Sequence, residues 1–120
     1  PLGLGAGWLG SLAGWWGGVS TGAYTVYQYI ENGSVKYIGQ TIDFARRSGE
    51  HLRKGWQIQP ILGLEKLSKF DARAVEQALI EHYELVNLYN KINSIATTNS
   101  IYDKAIRRGT EILKIIGFFR

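Results

Sequence analysis

Alternation of apolar and polar positions begins at residue 23. From Ala23 to Ile30 the chain reads AYTVYQYI, dominated by aromatic and β-branched residues. In a strand Tyr24, Val26 and Gln28 point one way, and Thr25, Tyr27 and Tyr29 the other. Asn32-Gly33 is a two-residue hairpin signal, and Val35 to Ile38 returns as a second strand that Gly39 ends. The period then becomes helical. A helix is expected over Ile42 to Lys54, capped by Thr41 or Asp43, with Phe44, Ala45 and Leu52 as its apolar face and Gly55 as its stop. It sets Arg47 and His51 four residues apart, hence on one face. Trp56 to Leu64 reads as a third strand, and Pro60 marks it as an edge or a boundary. Ala72 to Glu84 is the strongest helical segment, capped by Ser68 or Asp71, with Ala72, Val75, Ala78, Leu79 and His82 or Tyr83 at helical spacing. Residues 85 to 99, with Asn87, Asn90, Asn93 and Asn99, read as loop. Ser100 and Asp103 form a capping box for a last helix that Ile101, Ala105, Ile112, Leu113 and Ile116 pack on the core. The expected fold is α+β: a small antiparallel three-stranded sheet flanked by helices, with an extra C-terminal helix.

Residues 1–22 follow neither period. They hold eight glycines, three tryptophans and no charged side chain. Glycine at that density is too costly for a soluble helix and interrupts any smooth membrane span. The segment is expected to be a linker or boundary segment, with residues 23–120 forming the domain. Trp8, Leu9, Leu12, Trp15 and Trp16 motivate a second expectation, contact with a membrane.

The 120 residues support one domain with a modest core. There is no cysteine, which excludes a disulfide framework and any thiolate metal site. His51 and His82, the only histidines, are too far apart in sequence for a histidine-rich zinc cluster. A net charge of +4 and a pI near 9.4 are compatible with a nucleic-acid partner without demanding one. Separately, strand tyrosines, a helix arginine, one histidine and one glutamate have ordinary structural explanations. Together they are the inventory that phosphodiester cleavage requires.

In order along the chain these residues resemble the GIY-YIG endonuclease superfamily. The first motif stands as Thr25-Val26-Tyr27, a departure from Gly-Ile-Tyr, and the second is intact as Tyr37-Ile38-Gly39. Asp43-Phe44, Arg47 and His51 match the family's first helix. Glu76 matches its metal-binding glutamate, and Asn90 or Asn93 its late asparagine, with Asn90 the closer fit. The resemblance spans about residues 24–94 and implies a metal-dependent endonuclease. Glu76 would hold Mg²⁺ (or Mn²⁺), Arg47 would bind phosphate, and Tyr27 would act as general base. Tyr37 would position water or phosphate and could exchange roles with Tyr27. His51 would orient Tyr27 or move protons, and Asn90 would anchor the catalytic loop or the substrate. DNA is the favoured substrate, with RNA as the alternative. A non-catalytic nucleic-acid-binding module is a further alternative.

Pro1-Leu2-Gly3-Leu4 resembles the end of the boundary motif of Rhs repeat proteins. That likeness implies a toxin domain released from a parent Rhs shell protein, exported as part of it, acting in the cytoplasm of a target cell and restrained by a cognate immunity protein. An acidic immunity surface would complement Arg46, Arg53, Lys54, Arg107 and Arg108.

Overall fold

A computed structural model describes residues 22–119. The expectations for residues 1–21, the linker, the membrane contact and the Rhs-like boundary, lie outside the described residues.

The hairpin forms as its turn chemistry requires. Strand β1 spans Thr25–Glu31 and β2 spans Ser34–Thr41. Between them Asn32 and Gly33 both take positive φ, 53° and 81°, the geometry of the turn that matches strand twist. The pairing is antiparallel, with Tyr27 opposite Gly39 and Tyr29 opposite Tyr37. The register then slips, so that Ile30 faces Val35 and Lys36 is the extra residue of a bulge on β2.

The third strand is far shorter than its apolar run. Only Gln59–Pro60 (β3) pairs, against Gln28 and Tyr27 of β1, and Tyr24 makes a single bridge to Leu67. Strand order is β2-β1-β3, which puts Pro60 on an edge. Ile58, Ile61, Leu64 and Leu67 are nevertheless buried. They dip into the core from irregular backbone, so apolar side chains here report burial and not a ladder.

Helix α1 is Phe44–Leu52, and Asp43 caps it by accepting from the Arg46 amide. The expected apolar face is not the inner one. Leu52 is 60% exposed and Ala45 is exposed, whereas His51 is buried and Phe44 and Arg47 are half-buried. This helix turns an aromatic and basic face inward, against tyrosines of the sheet.

Helix α2, Lys69–Tyr83, is capped by the Ser68 hydroxyl. It buries Ala72, Val75, Ala78 and Leu79 with Val26 and Ile38 in the main core, while Tyr83 is half-buried at its margin and His82 exposed. A single 3₁₀ turn, Leu85–Asn87, leads into the asparagine-rich loop. Helix α3 is Tyr102–Ile115. The capping box is absent: Ile101 stands at the N-cap without a side-chain bond, and Asn99 receives the Ile101 amide instead. Ala105, Ile112 and Leu113 are buried, while Ile101 stays 37% exposed.

Helices α2 and α3 lie very close. A Cβ built on Gly109 would stand 2.2 Å from the Ala74 carbonyl oxygen, a backbone atom that has nowhere to move. Arg108 beside it forks onto Asp71, with Nε–Oδ1 2.9 Å and Nη2–Oδ2 3.1 Å, and also meets Glu111 at 2.6 Å. Arg108 therefore locks α3 to the start of α2. Arg46 likewise lies within ion-pair distance of Asp43 and Glu50. Gly109→Ala is expected to lose about 1–2 kcal/mol net, because overpacking against an immovable backbone atom, about 2–3 kcal/mol, outweighs a helix-propensity gain of about 1 kcal/mol. A thermal melt followed by circular dichroism should fall by roughly 5–10 °C. An unchanged midpoint would show that parting the helices costs no more than the helix-propensity gain of about 1 kcal/mol.

Candidate active site

β2 is an edge strand, and consecutive residues of a strand face opposite ways. Tyr37 and Gly39 look toward α1, while Ile38 and Gln40 look toward α2. A cleft of about 330 Å³ occupies this edge and is lined from both sides.

On the α1 side the key contact is Tyr27 over Gly39. A Cβ on Gly39 would lie 2.4 Å from the Tyr27 Cζ and Oη. Glycine is needed here for space: its missing side chain is where the phenol rests. Tyr27 is 1% exposed, and its Oη lies 3.0 Å from His51 Nε2. It is also hydrogen-bonded to Tyr37, whose ring centroid is 6.3 Å away. Tyr37, Tyr27 and His51 thus form a hydrogen-bonded line of three proton-carrying groups with Tyr27 in the middle, folded so that the three ring centroids lie 5.5, 5.6 and 6.3 Å apart. Burial first, then the neighbouring Tyr37, pushes the Tyr27 phenol far above its ordinary value of 10.0. Tyr37 is also raised, chiefly by burial and then by Glu76, but Arg47 and its bond with Tyr27 pull it back. Both phenols are held in their neutral form, and of the two Tyr37 is the one whose ionisation the surroundings oppose less. His51 is lowered, mainly by burial and secondarily by Lys54 and Arg47, so a neutral imidazole is favoured. Its Nδ1 is buried without a partner. An orphan acceptor costs less than an orphan N–H, which favours a proton on Nε2, donated to Tyr27. Trp56 stacks on His51 at 5.5 Å and 10° and holds the ring in place.

Arg47 enters the cleft from α1. Its Nε lies 3.4 Å from Glu50 Oε1, but that atom makes no aligned hydrogen bond. The contact is a half-exposed ion pair of the kind worth little, and a phosphate can replace it.

On the α2 side, Glu76 Oε1 accepts from Gln40 Nε2 at 2.8 Å, and Ser94 also bonds the carboxylate. Burial raises its carboxyl above the ordinary 4.5, opposed by the bonds from Ser94 and Gln40. Glu76 makes no ion pair among the described residues; Arg73, a candidate partner, donates to the Ser94 carbonyl at 2.9 Å. Gln40 Oε1 is buried with no donor. A half-buried carboxylate with an amide as its neighbour is an oxygen-donor set that suits a hard divalent ion, which prefers oxygen ligands. Among the described residues no three histidine, aspartate or glutamate side chains gather to hold a metal. Glu76 is the single carboxylate at this wall, so water and phosphate oxygens would have to complete such a shell.

The far wall is the loop after α2. Asn90 clamps β2 through its amide: Oδ1 accepts from Ile38 N at 3.0 Å and Nδ2 donates to Ile38 O at 2.7 Å. Tyr89 N donates to Lys36 O, the carbonyl freed by the bulge, so residues 89–90 cover the open strand edge. Asn93 instead bonds Gln77 Nε2 at 2.9 Å, and Gln77 Oε1 receives the Ile95 amide at 2.8 Å. The loop between Asn90 and Asn93 carries Lys91 and Ile92 along the cleft.

No family model, no curated protein and no solved structure matches the chain.

The cleft therefore brings together Tyr27, Tyr37, Arg47, Glu76 and Asn90, with His51 directly behind Tyr27. Asn90 spends both ends of its amide on the backbone of Ile38, which makes it an anchor of the loop. Gln40, Lys91 and Ser94 line the same space and were not singled out from the sequence. For Gln40 a signal existed: the residue after Gly39 must face the side opposite Tyr37, toward the helix that carries Glu76.

Proposed function

We propose that this domain is a Mg²⁺- or Mn²⁺-dependent endonuclease of the GIY-YIG kind that hydrolyses phosphodiesters, DNA being the favoured substrate. The observation that carries the reading is one cleft holding two phenols, a guanidinium and a half-buried carboxylate that forms no ion pair among the described residues.

Arg47 exchanges Glu50 for the scissile phosphate, and its planar fork stabilises the charge that grows on the equatorial oxygens. Tyr37, at the outer end of the phenol line, first loses its own proton to solvent, and its phenolate then takes the proton of the attacking water and becomes the neutral phenol. Until that transfer Tyr27 donates a hydrogen bond to the phenolate and is in turn held by His51. The line lowers the cost of charge on Tyr37 without requiring Tyr27 itself to ionise, which its burial opposes. Tyr27 is thus read as the relay, and the base role passes to Tyr37. Glu76 would hold a divalent cation, which when bound supplies Lewis-acid stabilisation of the phosphoryl group and its leaving oxygen. Asn90 fixes the opposite wall so that substrate meets these groups in one geometry.

The test is incubation of the purified protein with plasmid DNA and, separately, total RNA, in Mg²⁺ and in EDTA. Cleavage of DNA that EDTA abolishes is the expected result. Cleavage of RNA alone would replace the substrate, and binding without cleavage would replace the enzyme by a binding module. In the same assay Arg47→Ala should lose about 10²–10³-fold in rate, the scale of one transition-state donor. A wild-type rate would make Arg47 a surface arginine.

The role as a delivered toxin, released from an Rhs shell protein and held in check by an immunity protein, is proposed on the likeness of Pro1–Leu4 alone.

A further inference from the structure

Gln40 is a polar residue of the cleft to which the nuclease reading gives no role. Its amide orientation follows from its neighbour: with the ends exchanged, Oε1 would face the Glu76 carboxylate and two acceptors would oppose each other. As it stands, Nε2 donates to Glu76 at 2.8 Å and Oε1 is buried with nothing donating to it. A buried acceptor without a donor is costly, and a side chain with this cost sits on the cleft wall beside the carboxylate. Half a turn of the terminal amide exchanges the two ends. The group that donates to the bare carboxylate would then present an oxygen toward it. Two oxygens facing each other repel unless a cation lies between them.

We propose that Gln40 is a second protein ligand of the cation site at Glu76, contributing its Oε1, and that the Gln40–Glu76 hydrogen bond is the form the pair adopts before the cation arrives. This rests on the reading of Glu76 as the metal-binding residue and adds a ligand to it. An amide carbonyl is a hard, neutral oxygen of the kind Mg²⁺ and Mn²⁺ accept beside a carboxylate. It raises the number of protein ligands without adding negative charge where a phosphate must bind.

Mn²⁺ binding can be read directly, with no nucleic acid present, from the loss of the free-ion signal in electron paramagnetic resonance. The full chain and its Gln40→Ala, Gln40→Glu and Glu76→Gln variants are titrated alike. Gln40→Ala is expected to weaken Mn²⁺ binding by about 10-fold or more. Gln40→Glu keeps an oxygen and removes the N–H donor, so it should bind at least as tightly as the wild type. If Gln40→Glu bound Mn²⁺ as weakly as Gln40→Ala, an oxygen at this position would not reach the cation even as a carboxylate, and the inference would be overturned. Wild-type affinity in Gln40→Ala with weakened affinity in Glu76→Gln would also overturn it and leave the nuclease reading intact. Mn²⁺ binding unchanged in Glu76→Gln would remove both.

Discussion

Replacing Glu76 by glutamine is expected to yield a folded protein that no longer cleaves nucleic acid in Mg²⁺. A cation acting on a phosphoryl group is worth several kcal/mol of transition-state stabilisation, so the loss should be on the order of 10³-fold or more. The substitution is nearly isosteric, and its effect on stability has the opposite sign. Burial raises the Glu76 carboxyl above 4.5, which means the folded state binds its proton more tightly than the unfolded chain does. The stability this group contributes is fully present below the ordinary value and is lost as pH rises through the raised one. At pH 7 the wild type bears that loss and the glutamine variant does not. Urea unfolding at pH 7 should therefore find Glu76→Gln equal to or more stable than the wild type, with the difference narrowing toward pH 4. A variant that is inactive because it is unfolded would show the reverse, and the carboxylate would then be a structural group.

The second large effect is expected at Gly39. A methyl group there would stand 2.4 Å from the Tyr27 phenol, and that phenol has no free direction. His51 holds its oxygen, while Phe44 meets its ring edge-on at 6.1 Å. Gly39→Ala must displace the ring or bend the strand. Overpacking of this kind costs about 1–3 kcal/mol, and a shift near 1 Å at a catalytic group costs about 10²-fold in rate. Both should be seen, the rate measured well below the melting midpoint. Tyr27→Phe in the same chain removes one of the two closest atoms and should recover part of the stability but none of the rate. If Gly39→Ala alone cleaves at the wild-type rate, the Tyr37–Tyr27–His51 line is not part of the chemistry.

The hairpin was legible because its signals are local. Asn32-Gly33 dictates the turn, and the alternation from Tyr24 to Tyr29 survives in the strand. The third strand was not, because burial and pairing leave the same mark on a sequence. Ile58, Ile61 and Leu64 are apolar for the core, while Pro60 and the turns around it keep the ladder to two residues. Helix α1 misled for a different reason. A helix whose inner face is Arg47 and His51 lacks the apolar stripe by which buried faces are recognised. That absence is itself a mark of a face reserved for something other than packing. The capping box at Ser100 failed because the helix starts one residue later, with Ile101 at the N-cap, and Asn99 receives the Ile101 amide in the turn before it. The six site residues could be named in order along the chain, but their meeting around the edge of β2 depends on long-range packing that no local pattern encodes.

The amide clamps on the loop after α2 have a consequence for how such a protein can diversify. Asn90 grips β2 and Asn93 grips Gln77, so the frame at both ends is fixed by contacts made elsewhere. Lys91 and Ile92 lie exposed between them, facing the cleft yet belonging to no core. Changes at these two positions alter what the cleft touches while the fold is left undisturbed. Lys91 and Ile92 are thus a pair of positions open to drift between two fixed posts.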